Sequence, residues 1–477
     1  MFSGSGRRSP LMAEITRDCE YLLVEAAIGF AKDREWTVRG YLGTEYRAVL
    51  RCGDLHFGFA RVRCPRCRHE MFVAFSCRQR CLCPSCHQKR TLLAAETIAH
   101  TICQSVPHRQ LVFTIPKRLR LYVRDDRGLL GELARATWET VVEVYRDVLR
   151  REDVVPGMIG GIQTFGELVH FHPHIHAIAS DGAFASDGTF LCLPKVDTDR
   201  FLATWQTKVF ELLVAAGKID QQTVDQMRSW PHSGFSVDNS VYLSPGNTAG
   251  LERLAEYILR CPFSLARVVR LTDDGSVIYH AEQDHCGRFP GPASADPRGG
   301  PRRNFPVFSA LDFLAEVTQH IPDKGEHLVR YYGWYSHRRR GMRAQRGSEG
   351  LAEQDATSTS PADSCTLGPI RIDRSAVAAE RSAADGPRAG SVSTWARLIR
   401  RVYEVDPLTC PQCGGEMKII SFIERRQQDV IERILRHCGL WEGPLRTLAH
   451  PRAPPAPAEP DEDQPRELQL VLDPEFL

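Results

Sequence analysis

The sequence predicts an α+β fold: a central antiparallel sheet that carries a row of histidines and is flanked by helices. Three observations lead to this prediction: strand-like segments with alternating apolar residues, amphipathic segments between them, and cysteine motifs that predict zinc modules on the N-terminal and C-terminal sides. The 477 residues, 42% of them apolar and 25% charged, suffice for several domains of ordinary composition. No apolar run reaches transmembrane length and the N-terminus lacks a signal-peptide core, so we expect a cytoplasmic protein without membrane contact.

Shifts in composition divide the chain into five segments. Residues 1–100 contain a helix and a cysteine-rich module, and residues 101–346 contain the sheet. Residues 347–391 are rich in Ser, Ala, Asp and Gly and predict a disordered linker. Residues 392–445 contain another cysteine motif, and residues 446–477 form a Pro-rich, acidic tail.

The predicted elements follow from the spacing of apolar residues, which recur every three to four positions in helices and alternate in strands. In chain order they are a helix over 13–50, a short strand over 71–75, a helix over 91–105, a strand over 108–115, a helix over 129–150, a segment over 154–165 that leads into the histidine strand, a return strand over 190–193, helices over 198–230 and 250–260, a hairpin over 265–279, an exposed loop over 285–304, a helix over 309–321, a short helix over 395–406, a strand over 417–423 and a helix over 428–438.

Sixteen cysteines are many for a cytoplasmic chain unless they bind metal, and seven of them lie within residues 52–86. Two Cys-x2-Cys knuckles in this region are separated by 15 residues, the spacing of a four-cysteine zinc ribbon, which predicts Zn²⁺ bound by Cys64, Cys67, Cys83 and Cys86. The remaining candidates form a second ion site or are small buried residues that support the first: Cys52, His56, Cys77 and Cys81.

A further knuckle, Cys410-Pro-Gln-Cys413, predicts another zinc site near the C-terminus. Only His437 and Cys438 lie nearby in sequence as partners, so the sequence leaves open whether this site has four ligands. Net charge is only +2, but arginines and lysines are concentrated around the front knuckles. Such a basic module suits a phosphate backbone, although the same charges are also typical of a solvated surface.

The histidine strand organises the predicted sheet. Alternation along an extended chain places His170, His172, His174 and His176 on one face, with neighbouring ligands about 6.6 Å apart at their Cα atoms. That separation lets imidazoles converge on one ion. The histidine–isoleucine–histidine motif at positions 174–176 is the core of the pattern; the alternative is a surface strand with solvated histidines.

A tyrosine- and arginine-rich segment, residues 326–346, follows the predicted helix over 309–321. If it is helical, Tyr331 and Tyr335 lie one turn apart on one face and Tyr332 points elsewhere, although Gly333 weakens such a helix. Aromatic rings stack on bases and guanidinium groups bind phosphates, so the mixture indicates nucleic-acid contact. The alternative is core tyrosines beside a solvated basic run. The expected DNA-binding arginines are Arg330, Arg338, Arg339 and Arg340.

A histidine pair, a tyrosine cluster and a cysteine module are together the set that phosphodiester cleavage by tyrosine requires. Free tyrosine has a pKa of about 10 and is a poor nucleophile at neutral pH. A divalent ion held by two histidines and a third polar ligand polarises the scissile phosphate. The tyrosine oxygen then attacks to give a covalent phosphotyrosine and a free hydroxyl, so rejoining needs no ATP.

At this point the chain resembles the HUH-type rolling-circle transposases of insertion sequences, tyrosine enzymes with an N-terminal zinc-binding domain. The resemblance rests on FHPHIHAIASDGAF, HLVRYYGWYSHRRRG, the front FGFARVRCPRC and SCRQRCLCPSCHQKR, and the rear VYEVDPLTCPQCGGEMKII, which occur in order from about residue 45 to 425. It implies that residues 101–346 are the catalytic domain and that the substrate is the single-stranded or hairpin-forming DNA ends of a mobile element.

The resemblance also implies roles for individual residues. His174 and His176 would bind Mg²⁺ or Mn²⁺, Tyr331 would be the nucleophile, and Tyr335 would be a second tyrosine for strand transfer. The third metal ligand is left open among His172, which we expect to complete the site, and His170, Gln163 and Asp181. Tyr332 competes with Tyr331 if the local backbone is not helical.

Two other functions fit parts of the pattern. A plasmid or phage replication initiator or relaxase would use the same chemistry at an origin, but it would not explain the front and rear cysteine motifs. A non-catalytic zinc-dependent DNA-binding protein would use the histidine strand structurally and form no covalent adduct. A metallohydrolase that uses the two histidines is a weaker alternative, because it leaves the tyrosine–arginine segment unexplained.

Overall fold

The computed structural model describes residues 48–49, 51–264, 267–271, 276–281, 287–288, 302–349, 397–400 and 406–441. The predicted helix over 13–50 lies outside this part apart from residues 48–49, as do almost all of the predicted linker over 347–391 and the whole tail over 446–477. The chain divides into two compact units, one through Phe422 and one from Ile423. In the described residues no helix is long and apolar enough to cross a membrane.

The strands are β1 (Gly58–Arg63), β2 (Glu70–Ala74), β3 (His108–Thr114), β4 (Gly157–Phe165), β5 (Phe171–Ser180), β6 (Gly182–Phe184), β7 (Phe190–Cys192), β8 (Ser236–Asp238), β9 (Tyr242–Leu243), β10 (Val268–Leu271), β11 (Ser276–Tyr279), β12 (Gly287–Arg288), β13 (Arg302–Arg303), β14 (Val307–Ser309), β15 (Val329–Gly333) and β16 (Lys418–Glu424). The helices are α1 (Pro84–Thr97), α2 (Lys117–Asp125), α3 (Gly128–Leu149), α4 (Thr198–Ala215), α5 (Gln221–Arg228), α6 (Thr248–Ile258), α7 (Ala310–Thr318), α8 (His337–Glu349) and α9 (Gln428–His437), with a 3₁₀ turn at Leu55–Phe57 and a π-helical turn at Ile98–Ile102.

A six-stranded sheet forms the centre of the first unit, in the order β15-β4-β5-β3-β8 with β9 also paired to β3. The pairs along this order are antiparallel. The α+β prediction and the antiparallel sheet are therefore confirmed. β5 is the predicted histidine strand, and it lies in the middle of the sheet between β3 and β4.

Helices α2 to α5 cover one face of this sheet. Ile175 and Ala177 of β5 and Phe113 of β3 point into a core with these helices. α3 buries a continuous stripe that includes Leu133, Val141 and Tyr145. This stripe produced the apolar spacing from which a helix over 129–150 was predicted, and the observed helix begins and ends one residue earlier. Burial of each large apolar side chain contributes about 1.5–3 kcal/mol, so this layer fixes which face of β5 is apolar.

The opposite face of the sheet, which we call the histidine face, is covered only in part. The end of α1, the π-helical turn and α6 pack here on Ile159 and Ile178 in a second apolar cluster. The described residues also form a small sheet in the order β16-β1-β2, another in the order β10-β11-β14, and the two-stranded pairs β6-β7 and β12-β13. β10 and β11 form the predicted hairpin, and β12 and β13 are described parts of the segment predicted as an exposed loop.

The tyrosine segment is not one helix, so that prediction is wrong. Residues Val329–Gly333 pair with β4 as an edge strand, and α8 begins only at His337. Gly333 ends the strand with a φ of +54°, and a Cβ there would lie 2.1 Å from the Pro156 carbonyl oxygen. Only glycine fits this left-handed turn, which directs the following residues away from the strand axis.

Candidate active site and cysteine clusters

Strand register decides which side chains share the histidine face. His174 lies opposite Gln163, and His176 lies opposite Gly161. On the next strand pair, Tyr331 lies opposite Ile159. Directly opposed residues point to the same side of an antiparallel sheet, so Tyr331 shares the face with both histidines, two strands away.

The two imidazoles converge, with the Nε2 atoms of His174 and His176 3.0 Å apart. His174 donates its Nδ1–H to the backbone carbonyl of His172 at 2.7 Å, which leaves its Nε2 with a lone pair. Nε2 of Gln110 lies 2.9 Å from Nδ1 of His176. With the Gln110 amide turned end for end, its Oε1 accepts the Nδ1–H of His176, and the second Nε2 is freed in the same way. Such outer hydrogen bonds orient metal-binding histidines.

The histidine pair also has the protonation state that a metal requires. Burial lowers the pKa of His174 to about 4 and that of His176 to about 2, so both rings are neutral at pH 7. Two nitrogen ligands at right angles on an ion about 2.1 Å away lie about 3.0 Å apart. The pair therefore fits two adjacent positions of one divalent ion.

Three of the candidates for the third metal ligand do not form a three-ligand group with the histidine pair: His170, His172 and Asp181. Within the described residues, groups of three or more His, Cys, Asp or Glu ligand atoms occur only at two cysteine clusters. The ring centroids of His172 and His174 are 5.0 Å apart, close to the 4.8 Å within the pair, so His172 is a neighbour of the pair although the three rings do not form a three-ligand group. His170 is held over Gly166 at the turn before β5. Asp181 receives two hydrogen bonds from Arg109 and is committed to that ion pair.

Gln163 is the candidate that the sheet brings beside the pair. Its Nε2 donates to the carbonyl of Ile258 at 2.7 Å and to that of Tyr257 at 3.3 Å, both in the last turn of α6. Its Oε1 is buried and has no hydrogen-bond partner among the described residues. An amide oxygen that is buried without a partner, on the same face as His174, is available to a cation.

The last turn of α6 covers this part of the histidine face. Ile258 lies over Gly161, where a Cβ would be only 2.3 Å from its side chain. Tyr257 packs edge-on against His176 with ring centroids 5.6 Å apart, and the Arg260 guanidinium lies 4.5 Å from the Tyr257 ring centroid. Since Gly161 lies between His176 and Val329, α6 occupies the sheet surface between the histidine pair and β15.

Positive side chains surround the histidines. Burial lowers the pKa of His172 most, and neighbouring histidine rings, Arg120 and Lys117 lower it further. Burial likewise lowers the pKa of His176, and the charge of Arg260 adds to that effect. Beside Arg260, a cavity of about 440 Å³ is lined by the aromatic rings of Phe165 and Tyr279 among others. Basic groups beside aromatic rings are the components of a site for single-stranded nucleic acid.

Tyr331 is half-buried at the edge of the sheet. Its ring packs edge-on against His337, with centroids 5.0 Å apart, and the Arg340 guanidinium lies 5.5 Å from the ring centroid. Burial raises the pKa of Tyr331, while the charge of Arg340 opposes that effect. Interstrand spacing places its Cα roughly 12 Å from that of His176, so the two do not touch.

Two neighbours of Tyr331 point to the other face. Tyr332 stacks on Trp138 of α3, with centroids 5.6 Å apart and planes at 11°. The Arg330 side chain lies against Gly131 of α3, where a Cβ would be 2.6 Å from its Nη2. The structure therefore does not bring Tyr332 or Arg330 to the histidine pair.

Tyr335 is fully buried, and its hydroxyl lies 2.7 Å from Nε2 of His108. Burial raises the pKa of Tyr335 well above its usual range. A Cβ on Gly157 would lie 2.6 Å from the Tyr335 ring, so β4 is glycine at the point where the ring packs. The one-turn spacing from Tyr331 that a helix would give is absent, because Gly333 turns the chain between them.

The three remaining predicted arginines lie at the start of α8. Arg338 and Arg339 are exposed, and Arg340 donates its Nε–H to the Tyr335 carbonyl at 3.1 Å. Arg340 is thus the one of the three whose guanidinium the structure places against Tyr331.

The cysteines form two clusters, and the predicted four-cysteine ribbon is wrong in its grouping. The first cysteine cluster is Cys52, Cys77, Cys83 and Cys86, and the second cysteine cluster is Cys64, Cys67, Cys410 and Cys413. The grouping differs because the β1–β2 hairpin carries the Cys64 knuckle away from the Cys83 knuckle, which opens α1. Of the residues left over in sequence, Cys52 and Cys77 are ligand candidates, whereas His56 is hydrogen-bonded to Asp54 and Cys81 is buried outside both clusters.

The geometry of the first cysteine cluster fits a zinc ion. Sulfur–sulfur distances are 3.6 Å from Cys86 to Cys52, 3.6 Å from Cys86 to Cys77 and 3.7 Å from Cys83 to Cys52. Four sulfurs arranged tetrahedrally about 2.3 Å from zinc lie about 3.8 Å apart. Cys83 and Cys86 open α1, and Cys52 and Cys77 flank the hairpin, so the ion would fix the hairpin against the helix.

The sequence did not single out three features that the structure places at these sites: Gln110, Arg260 and the pairing of the front and rear knuckles. The sequence of β3 did not single out Gln110, which is buried, because His108, Arg109 and Thr114 on the same strand are polar as well. The Cys-Pro-x-Cys motif occurs at residues 64, 83 and 410, so it did not indicate which two knuckles pair. Nothing local in the sequence indicated Arg260, because α6 brings it to the histidines only in three dimensions.

Two protein families match this chain. The family described as "Putative transposase" matches residues 157–342, which include the histidine strand and the tyrosine segment. The family described as "Transposase zinc-binding domain" matches residues 30–115, which include the whole first cysteine cluster.

Two curated proteins are similar over most of their length. The chain is 22% identical over 389 residues to the transposase for insertion sequence element IS801 of Pseudomonas savastanoi pv. phaseolicola, a match that covers 77% of this chain and 81% of that protein. It is 25% identical over 313 residues to "Putative transposase y4qJ" of Sinorhizobium fredii (strain NBRC 101917 / NGR234), covering 61% and 74%. No solved structure matches the chain at a significant level.

Proposed function

Because the chain belongs to the IS91/IS801 family of transposases, we propose that it nicks and rejoins single-stranded DNA ends of an insertion sequence through a covalent 5′-phosphotyrosine on Tyr331. The observation that carries this proposal is the placement of Tyr331 on the same sheet face as two neutral histidines whose Nε2 atoms converge. Tyr332, its neighbour in sequence, is stacked on α3 behind the sheet.

His174 and His176 would hold a Mg²⁺ or Mn²⁺ ion through their Nε2 atoms, and Oε1 of Gln163 would be the third ligand. When bound, such an ion polarises the scissile phosphate and stabilises its developing charge. Gln110 and the His172 carbonyl fix the two rings with their Nε2 atoms facing each other. His172 itself is the competing third ligand.

The covalent step uses the Tyr331 oxygen as nucleophile. The Tyr331 Oη–P bond forms as the P–O3′ bond breaks, and the phenolic proton is lost to solvent while the leaving 3′ oxygen gains one. Arg340, next to the Tyr331 ring, offsets negative charge on the phenolate and the phosphate. Rejoining is the reverse step, in which a 3′-hydroxyl attacks the phosphotyrosine.

The DNA strand would pass from Tyr331 toward the histidine pair across the end of α6. In the DNA-free chain this turn occupies the sheet surface between them and is held by the two hydrogen bonds from Gln163. Productive binding therefore requires the end of α6 to move outward. Arg260 and the rings of Phe165 and Tyr279 line the adjacent cavity, where an unpaired base and its phosphate would bind.

The test is incubation of the full chain with labelled single-stranded DNA from the ends of the element and Mn²⁺, followed by a denaturing gel. We expect a covalent protein–DNA band that Tyr331→Phe and the double variant His174→Ala with His176→Ala abolish. Tyr332→Phe is the matched control, because it removes the adjacent hydroxyl on the opposite sheet face. Loss of the band in Tyr332→Phe alone would overturn the assignment of the nucleophile.

The same assay separates the alternatives. Tight DNA binding without a band from any variant would support a non-catalytic zinc-dependent DNA-binding protein. A band formed on plasmid-origin DNA but not on the element ends would support a replication initiator or relaxase.

A further inference from the structure

The second cysteine cluster joins residues that are more than 340 positions apart. The Sγ atoms of Cys64 and Cys413 are 3.5 Å apart, and those of Cys67 and Cys410 are 3.4 Å apart. All four sulfurs lie within 4.8 Å of one another, and none of these cysteines forms a disulfide. The matched zinc-binding family ends at residue 115, so it does not include the rear half of this cluster.

The front and rear knuckles have the same local structure. Each is Cys-Pro-x-Cys, and in each the first cysteine N–H donates to the carbonyl five residues later: Cys64 to His69 at 2.8 Å and Cys410 to Gly415 at 2.9 Å. In each, the residue four positions after the first cysteine donates back to that cysteine's carbonyl at 2.9 Å.

The residue that closes each knuckle has a left-handed backbone, with a φ of 63° at Arg68 and 66° at Gly414. A left-handed conformation costs energy at a non-glycine residue such as Arg68. The third Cys-Pro-x-Cys knuckle, Cys83–Cys86, opens α1 instead, so the motif alone does not impose this turn. The shared geometry aims two sulfurs outward from each loop, as a metal knuckle requires.

The two knuckles also share a small apolar core. Val62 and Cys64 on the front side pack with Cys410 and Met417 on the rear side, and all four are almost completely buried. β16, which follows the rear knuckle, joins the front hairpin as the third strand of the sheet β16-β1-β2. The Arg66 side chain of the front knuckle lies against Gly415 of the rear knuckle. A Cβ added at Gly415 would lie 2.9 Å from Cδ of Arg66.

A second link supports the same arrangement. Arg397, upstream of the rear knuckle, donates two hydrogen bonds to the carboxylate of Glu96 on α1, at 2.6 and 2.7 Å. An ion pair this exposed contributes little stability. It places Arg397 against α1, the helix that opens with Cys83 and Cys86.

We propose that Cys64, Cys67, Cys410 and Cys413 bind one structural zinc ion that joins two segments more than 340 residues apart in sequence. Four thiolates at tetrahedral spacing with no open position are the ligand set of a structural zinc site. The front zinc module is therefore composite. Its β1–β2 hairpin is completed by β16 and by two ligands, Cys410 and Cys413, which follow the central sheet in sequence. Removing the rear knuckle unravels part of the front module rather than an independent appendage.

The experiment is a zinc count on the purified full chain and on cysteine variants. We expect two zinc ions per wild-type chain. The double variant Cys64→Ser with Cys67→Ser, the double variant Cys410→Ser with Cys413→Ser, and the quadruple variant that combines them should each retain one. Cys438→Ser, a rear cysteine outside both clusters, is the matched control and should retain two.

The quadruple variant makes the count decisive. If front and rear knuckles belonged to different sites, the two double losses would add, and the quadruple variant would retain fewer ions than either double variant. Retention of both ions when Cys410 and Cys413 are replaced would overturn the proposal, as would a single ion in the wild type. The zinc kept in the first cysteine cluster reports that each variant is folded.

A second measurement needs no variant. Wild-type protein is treated with a chelator and an alkylating reagent, and the labelled cysteines are identified by mass spectrometry over time. We expect Cys64, Cys67, Cys410 and Cys413 to become reactive together. Labelling of Cys64 and Cys67 in step with Cys83 and Cys86, independently of the rear pair, would contradict the composite site. Neither measurement depends on DNA cleavage, so the inference is tested separately from the proposed activity.

Discussion

At the residue scale, the candidate metal site depends on hydrogen bonds that leave a specific atom free. His174 and His176 each have Nδ1 engaged, so their Nε2 atoms remain for a ligand. Gln163 has its amide nitrogen engaged and its oxygen without a partner in the described part of the chain. The three side chains thus present two nitrogens and one oxygen on one sheet face, the softer and harder donors that Mn²⁺ accepts.

The role of Gln163 is testable by its metal dependence. We expect Gln163→Leu, which removes the oxygen at similar volume, to raise the Mn²⁺ concentration for half-maximal DNA cleavage at least about ten-fold. Gln163→Glu restores an oxygen ligand but loses the N–H that the Ile258 carbonyl accepts, so it should recover only part of that loss. The measurement is cleavage rate against Mn²⁺ concentration; an unchanged midpoint in Gln163→Leu would remove Gln163 from the site and leave His172 as the third ligand.

Tyr335 illustrates a different residue-scale outcome, because its hydroxyl is used inside the protein. We expect Tyr335→Phe to lower the free energy of unfolding by about 1–3 kcal/mol, since it leaves His108 without its buried partner. The covalent DNA band should persist. Urea unfolding and the denaturing-gel assay measure the two effects; loss of the band at unchanged stability would return Tyr335 to the role of second nucleophile.

At the element scale, Gly333 decides that the tyrosine segment is a strand followed by a turn. Its positive φ ends β15, and Pro156 and Trp138 fill the space where a side chain would lie. The turn separates Tyr331, which stays on the sheet edge, from Tyr335, which enters the core. A continuous helix would have placed the two hydroxyls on one surface.

Gly333→Ala should therefore destabilise the chain by more than the approximately 1 kcal/mol typical of a strained backbone, because it combines a left-handed φ with overlap. Gly341→Ala is the matched control: it lies on α8, with no atom within 4 Å of its Cβ position, and should be neutral or stabilising by up to about 1 kcal/mol. Thermal unfolding of both variants checks this. If Gly333→Ala and Gly341→Ala had equal melting temperatures, the turn at Gly333 would be able to rearrange without cost.

At the scale of the whole molecule, buried neutral histidines predict acid sensitivity. Burial lowers the pKa of His320 to about 4, while its ring bonds Thr164 and the Val169 carbonyl. The unfolded chain, with an ordinary pKa of about 6.5, binds the proton first as pH falls. Stability from this group is therefore fully present above pH 6.5 and is lost between pH 6.5 and about 4.

Replacing His320 by Gln, which keeps a donor and an acceptor, should remove up to about 3 kcal/mol of that acid-induced loss. Urea unfolding at pH 7 and pH 4.5 gives the difference for wild type and variant. His327→Gln, at an exposed position, is the control. Identical acid losses in wild type and His320→Gln would show that other groups dominate the acid response.

Much of the molecule could be predicted from local pattern. The histidine strand, the preceding strand β3 and the long helix α3 follow from alternation and helical spacing, because burial of one face imposes those periods. The front knuckles follow from Cys-Pro-x-Cys. The tyrosine segment could not be predicted in this way: its apolar residues suit a helix or an edge strand, and pairing with β4 decides between them.

The α+β class, the face of β5 that carries histidines and the three Cys-Pro-x-Cys knuckles follow from the sequence alone, because each depends on residues that are close in the chain; the sequence left the roles of Cys52 and Cys77 open. Only the tertiary structure decided which cysteines share a cluster, which tyrosine shares the histidine face and that Gln163 lies beside His174. Those are contacts between different strands and loops, and they depend on strand register and on the packing of α6. Register is set by which faces are buried together, and no local spacing encodes it.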